Sequence, residues 1–242
     1  FDNQVIPDGT ARQGVFERMI YMRILVVGGG GREHAIIKKL KENKSVEVIY
    51  ALPGNGGIAR DAVCVPIGAT DIAKITEFAV ENKIDYAVVA PDDPLVLGAV
   101  DALEAKGIPC FGPDKKAAVI EASKAFSKDL MKKYGIPTAE YEVFNDMDSA
   151  LNYLETAPIP TVIKADGLAL GKGVIIAQTR QEAMDAVKSM MADKVFGKSG
   201  EHIVIEEFLT GPEVSVLSFT DGKVVKPMVS SMDHKRANDH DT

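Results

Sequence analysis

From Met22 to about Phe111, short runs of β-branched and aliphatic residues alternate with longer stretches whose apolar positions recur every three or four residues. The runs at 24–27, 46–51, 86–90 and 109–111 predict strands, and the periodic stretches at 33–40, 72–82 and 95–106 predict helices. Strands with no polar face are buried on both sides. Their alternation with helices therefore predicts an α/β, doubly wound parallel sheet in the amino-terminal region. Ligands of such sheets gather at the carboxyl ends of the strands.

The pattern changes at Gly112-Pro113-Asp114. A helix is expected over 124–134, with Phe126, Leu130, Met131 and Tyr134 on one face, Gly135 as its C-cap and Pro137 as its stop. The remainder reads as α+β. It has a strand at 141–144, a helix at 149–155, strands at 160–163 and 174–176, a helix at 180–191 and a strand at 203–205. A last hairpin pairs 214–219 with 223–225 around Asp221-Gly222, a favoured turn dipeptide.

Composition narrows the function classes. The 242 residues carry a net charge of -7, with no dense basic block, which argues against non-specific nucleic-acid binding. No apolar run reaches the length of a membrane span. Cys64 and Cys110 are too few and too far apart for a metal cluster or a disulfide framework, so both are expected as buried, reduced thiols in a cytoplasmic protein. Residues 1–21 lack the order of a signal peptide and read as a leader or extension outside the fold, with Met22 as the natural start. The polar end at 239–242, without a closing element, is expected to be a truncation.

Two glycine-rich segments carry the candidate chemistry. Gly28-Gly29-Gly30-Gly31 follows the first strand and opens the first helix, so its N–H groups and the helix dipole face the sheet edge. A dinucleotide fingerprint fails there, because Glu33 stands at the third glycine position and no acidic residue ends the second strand. A smaller phosphorylated ligand is the favoured reading, and a purely structural turn the alternative. Pro53 to Gly57 and Ala90 to Leu95 also follow strands of this sheet and are expected at the same edge. His34, with no acidic or cysteine partner in sequence reach, is expected to pack or cap.

The second segment runs from Ile163 to Ile176, with Gly167, Gly171 and Gly173 and the cation Lys172 between two strands. Successive N–H groups in such a turn form an anion-binding concavity, although a hairpin tip with solvated lysines has the same composition. It is not a Walker loop, since no Gly-Lys-Ser/Thr leads into a helix. The segment after the strand at 203–205, Glu206 to Glu213, could offer backbone groups to a base and a carboxylate to ribose, or be an acidic surface loop.

In order along the chain, several strings are similar to those of one family. They are Gly-Gly-Arg-Glu-His-Ala (30–35), Pro-Gly-Asn (53–55), Pro-Leu-Val (94–96), Phe-Gly-Pro (111–113) and Ser-Lys-Ala-Phe (123–126). Lys-Ala-Asp-Gly (164–167), Gly-Lys-Gly-Val (171–174), Glu-Glu-Phe-Leu (206–209) and Asp-His-Lys-Arg (233–236) complete the set. From residue 22 onward the chain resembles the glycinamide ribonucleotide synthetase (phosphoribosylamine–glycine ligase) family of the ATP-grasp superfamily.

The resemblance implies a substrate-binding domain at 22–120, an ATP-grasp lid region at 121–209 and the start of a catalytic domain at 210–242, so the α+β part is an incomplete ATP-grasp region. It implies ATP-dependent ligation of glycine to 5-phosphoribosylamine through a glycyl phosphate, with no side-chain nucleophile. ATP contacts fall on Lys124, Lys164, Gly171, Lys172, Gly173, Glu206, Glu207, Phe208, Leu209 and Glu213. Substrate contacts fall on Gly30, Gly31, Arg32, Glu33, Pro53, Gly54, Asn55, Asp92, Pro94, Asp233, Lys235 and Arg236. The implied partners are small molecules, with neither nucleic acid nor membrane, acting on a monomer.

Two departures stand out. Ala90-Pro91-Asp92-Asp93 replaces the family's Gly-Pro-Glu, with a carboxylate one methylene shorter. The family's next glycine-rich loop and its magnesium ligands are absent, so the ligands are expected beyond Thr242 and this chain alone is expected to be inactive. Alternatives are a different ATP-grasp ligase (biotin-carboxylase-like or a formate-dependent transformylase), a non-catalytic nucleotide-binding module, and a nicotinamide oxidoreductase.

Overall fold

The computed structural model describes residues 21–167, 173–193 and 200–232. These form two compact units. One comprises the described residues up to Leu130 together with Asp166 and Gly167; the other comprises Met131–Ala165 and the described residues from Gly173 onward.

In the first unit, strands β1 (Met22–Gly28), β2 (Val46–Pro53), β3 (Val63–Cys64), β4 (Tyr86–Val89) and β5 (Cys110–Phe111) form one sheet in the order β3-β2-β1-β4-β5. Every pairing is parallel. Side chains alternate across the pleat, yet both faces of β1 are apolar. Leu25 and Val27 pack with Leu52, Ile75 and Leu103, while Ile24 and Val26 pack with Ile37, Ile49 and Ile58. The helices α1 (Gly31–Leu40), α2 (Ile72–Glu81), α3 (Asp92–Leu97), α4 (Ala99–Glu104), α5 (Lys115–Ala122) and the first part of α6 (Lys124–Tyr134) complete the unit.

The strand order reverses between β1 and β4, so the crevice of a doubly wound sheet opens where Gly28 and Ala90 leave their strands. The predicted single helix at 95–106 is instead two helices. Gly98 sits at φ 90°, a left-handed conformation that closes α3 and opens α4, and its N–H donates to Leu95 O at 3.0 Å. The short strand β3, the 3₁₀ turn Ile58–Arg60 and α5 were not predicted. In α5 only Ala118 is buried and Ile120 is exposed, so its amphipathic signal is faint despite the Asp114 cap on Ala117 N–H.

The helix predicted at 124–134 forms as α6. Gly135, at φ 65°, closes it, with Ile136 N–H on Met131 O at 2.9 Å. Its predicted apolar face is not a core face here, because Phe126 and Tyr134 are 42% and 65% exposed.

In the second unit, β6 (Tyr141–Phe144), β7 (Thr161–Ala165), β8 (Val174–Ala177) and β9 (Ile203–Glu207) form an antiparallel sheet in the order β6-β9-β7-β8. Helices α7 (Met147–Leu154) and α8 (Arg180–Met191) cover one face. Asp146 and Thr179 start them by accepting the N–H of Ser149 and Glu182. Ile163, Ala165, Ile203 and Ile205 point into this layer against Leu154, Val187 and Met190.

The last described hairpin pairs β10 (Ser218–Thr220) with β11 (Val225–Pro227), on later bounds than the predicted 214–219 and 223–225. Asp221 holds the turn by accepting the N–H groups of Lys223 and Val224.

Candidate functional site

At the switch point the tetraglycine loop is packed from beneath by its own helix. Gly28 has φ 125°, and a Cβ there would lie 2.6 Å from Glu33 Cγ and 2.9 Å from Pro91 Cγ. Glu33 is 3% exposed, and its carboxylate accepts the Gly30 N–H at 2.5 Å. A carboxylate in the first turn opposes the positive end of the helix dipole. The sequence expectation of a dipole end open to an external anion therefore needs correction at one donor, since Gly30 N–H is held by an internal anion.

The three loops predicted to share the edge do meet. Asn55 Nδ2 donates to Gly29 O at 2.7 Å, Asn55 Oδ1 accepts from Gly57 and Ile58 N–H, and Gly54 N–H donates to Gly28 O at 3.1 Å. A Cβ on Gly29 would stand 2.6 Å from Gly54 O, so the two backbones approach as only glycine permits. The Asn55 amide thus joins the Pro53–Asn55 loop to the tetraglycine loop. Gly30, Gly31 and Arg32 are exposed at the rim, Asp92 is half-buried in the first turn of α3, and Pro94 is buried behind it.

His34 has an acidic partner that its sequence neighbourhood does not contain. The turn Ile58–Arg60 brings Asp61 to it, with His34 Nε2 and Asp61 Oδ2 2.8 Å apart, and Lys41 Nζ donates to the other oxygen at 2.9 Å. The hydrogen bonds from His34 and then Lys41 hold the Asp61 carboxyl down at about 2.

A second group forms at the start of α6. Asp166 follows β7 in the chain, and its carboxylate accepts from Ser123 Oγ and Ala125 N–H, both at 3.1 Å. In return, Lys124 Nζ donates to Gly167 O at 2.8 Å, and Gly167 has φ 109°. Lys124 is an expected phosphate contact, whereas Asp166 carries no expected role. Its signal was its place inside Lys164-Ala165-Asp166-Gly167, directly before the glycine loop.

In the second unit, Lys164 and Glu206 lie on the sheet face away from α7 and α8 and form an ion pair. Strand β9 continues through Glu207, so the strand-exit segment predicted from Glu206 begins only at Phe208. Glu206 O accepts from Thr161 Oγ1 at 3.0 Å, and Glu207 N–H donates to Glu140 O at 2.9 Å. Phe208 is half-buried, while Leu209 and Glu213 are exposed. Gly173 is buried and accepts Ala165 N–H at 2.8 Å through its carbonyl. Gly171, Lys172, Asp233, Lys235 and Arg236 lie outside the described residues.

Among the described residues there is no group of three or more His, Cys, Asp or Glu that could hold a metal ion. Cys64 and Cys110 are free thiols, half-buried rather than buried. No described helix is long and apolar enough to cross a membrane.

Comparison with known proteins agrees with this architecture. Residues 22–121 match the family model for the phosphoribosylglycinamide synthetase N domain, and residues 122–242 match that for its ATP-grasp (A) domain. The phosphoribosylamine–glycine ligase of Clostridium acetobutylicum is 50% identical over 218 residues, which is 90% of this chain and 52% of that protein. That of Escherichia coli is 49% identical over 223 residues, 91% and 52% of the two chains. The chain thus spans about half the length of the curated relatives it matches.

The crystal structure of the Thermotoga maritima phosphoribosylamine–glycine ligase superposes with a TM-score of 0.76 at 30% identity, over 91% of this chain and 52% of that one. A biotin carboxylase from Campylobacter jejuni, at 15% identity and TM-score 0.71, shares the fold over 86% of this chain and 50% of that one. With the N domain and the ATP-grasp domain matched end to end from residue 22, the chain belongs to the phosphoribosylglycinamide synthetase family.

Proposed function

We propose that this chain supplies the amino-substrate and nucleotide-phosphate contacts of an ATP-dependent ligase that joins glycine to 5-phosphoribosylamine in purine biosynthesis. The observation that carries this reading is the near-50% identity to phosphoribosylamine–glycine ligases across both matched segments. A glycine carboxylate oxygen attacks the γ-phosphorus of ATP, the bond to the ADP oxygen breaks, and glycyl phosphate forms. The ribosylamine nitrogen then attacks the acyl carbon, phosphate leaves, and the nitrogen loses a proton. Both steps are governed by positioning and charge neutralisation.

In this reading Lys124 and Lys164 contact nucleotide phosphates, as do Gly171, Lys172 and Gly173. Glu206 through Leu209 border the adenine, and Glu213 takes the ribose hydroxyls. Gly30, Gly31, Arg32, Glu33, Pro53, Gly54, Asn55, Asp92 and Pro94 shape the phosphoribosylamine crevice, and Asp233, Lys235 and Arg236 are also assigned to substrate binding. The division follows 22–120, 121–209 and 210–242, and the chain works as a cytoplasmic monomer on small molecules. Magnesium accompanies ATP in such chemistry, but the described residues offer no ligand set for it, so no step is derived through the metal.

Calorimetric titration with magnesium-ATP, and with NAD as a control, tests the nucleotide part. Saturable binding of ATP without NAD is expected, and absence of ATP binding would overturn it. Titration with glycinamide ribonucleotide tests the crevice: binding that Arg32→Ala and Asp92→Ala both weaken is expected, and binding indifferent to both would move the substrate elsewhere.

A further inference from the structure

Asp166 and Lys124 make a reciprocal tie between the residues that precede the glycine loop and the first turn of α6. Asp166 Oδ1 accepts Ala125 N–H and Oδ2 accepts Ser123 Oγ, both at 3.1 Å. Ser123 Oγ also accepts Phe126 N–H at 3.0 Å, and Ser123 O accepts Ser127 N–H at 3.1 Å, so Ser123 is the N-cap of α6. The Asp166 carboxylate adds a second, negatively charged acceptor at the same helix end, from 41 residues away in sequence. Lys124 then closes the loop of contacts through Gly167 O at 2.8 Å, where φ 109° holds the carbonyl in a conformation that favours glycine.

We infer that Asp166 is a positioning residue for Lys124, fixing the helix turn that carries the ammonium and the carbonyl that orients it. A lysine has four rotatable side-chain bonds, and its ammonium is a point charge with no geometry of its own. Its direction must therefore come from neighbours. Here the neighbours are the capped turn on one side and Gly167 O on the other, and Asp166 is bonded to the first and adjacent to the second. The inference rests on the reading of Lys124 as a phosphate contact.

The test compares Asp166→Ala and Asp166→Asn in this chain by hydrogen exchange of the Ala125 amide and by titration with ATP and with adenosine. Asp166→Ala is expected to speed Ala125 exchange and to weaken ATP binding by about tenfold, the scale of one lost charge-assisted hydrogen bond. Adenosine binding should not move, because the effect passes through a phosphate contact. Asp166→Asn keeps an acceptor for Ala125 and should restore most of both losses. If Asp166→Ala does not fold, Ser123→Ala, which removes only the Oγ bonds, should give a smaller shift in the same direction.

Equal losses for ATP and adenosine, or no change in either measurement, overturn the inference. A wild-type chain that binds no ATP removes the nucleotide reading instead. Ala125 exchange then decides the tie alone, and exchange unchanged in Asp166→Ala overturns it.

Discussion

Lys164 and Glu206 sit diagonally across the antiparallel pair β7–β9 and close an ion pair on one face of the sheet. Lys164 is opposite Val204 and Glu206 is opposite Val162, so the two side chains are offset by two residues on neighbouring strands. That diagonal is within reach of long side chains. Glu206 is 6% exposed, and the Lys164 side chain 28%.

Removing Lys164 takes a charge partner from the buried Glu206, which costs more than the pair contributes. Lys164→Met should lower stability by about 3 kcal/mol, and adding Glu206→Leu should return most of it. Urea unfolding of the single and double variants measures both. A single-variant loss below about 1 kcal/mol would mean that solvent screens the pair.

The Asp61 carboxyl gives a pH signature. Its pKa in the folded chain is about 2, below the ordinary 3.8, chiefly because His34 and Lys41 hydrogen-bond to it. A depressed folded pKa contributes stability above the unfolded value, lost as pH falls through the folded one. The urea midpoint should therefore decline between about pH 4 and pH 2, and Asp61→Asn should flatten that part of the curve. An identical slope in the variant would assign the decline to other carboxylates.

Gly28→Ala should damage the crevice and the fold together. The φ of 125° is strained for any side chain, and the new methyl meets Glu33 and Pro91 inside 3 Å. A loss of about 2–4 kcal/mol is expected from strain and overpacking. Thermal unfolding measures it. Gly31→Ala, where a Cβ meets nothing within 4 Å, is the control and should stay near wild type.

Cys110 should alkylate slowly. Burial, with Glu104 as a lesser cause, pushes its thiol up to about 11. The thiolate is the nucleophile, so its iodoacetamide rate, measured in a Cys64→Ser variant, should keep rising through pH 9 and level only near 11. A plateau near 9 would mean that burial does not act on the thiol.

Much of the fold was legible because the apolar runs of β1, β2 and β4 and the period of α2 and α8 are strong local signals. Strand β6 and helix α8 fall on their predicted bounds. The misses have physical causes. Val63–Cys64 is a strand only because β2 offers it an edge, and Gly98 breaks a helix that periodicity alone would continue. At the site, the convergence of the three loops was legible from parallel topology. The His34–Asp61 pair and the Asp166 tie were not, since each joins residues 27 or more positions apart with no local pattern.

Strand β1 is hydrogen-bonded on both sides, to β2 from Met22 to Gly28 and to β4 from Ile24 to Val27. Its partners come from later in the chain, the second about 60 residues on. Loop-closure entropy must be met before such pairings reward it, so β1 is fully secured only once β4 has reached it. The tetraglycine crevice is therefore a late product of folding. Amide exchange in β1 should track global unfolding rather than local opening, which gives a direct readout of whether the crevice has assembled.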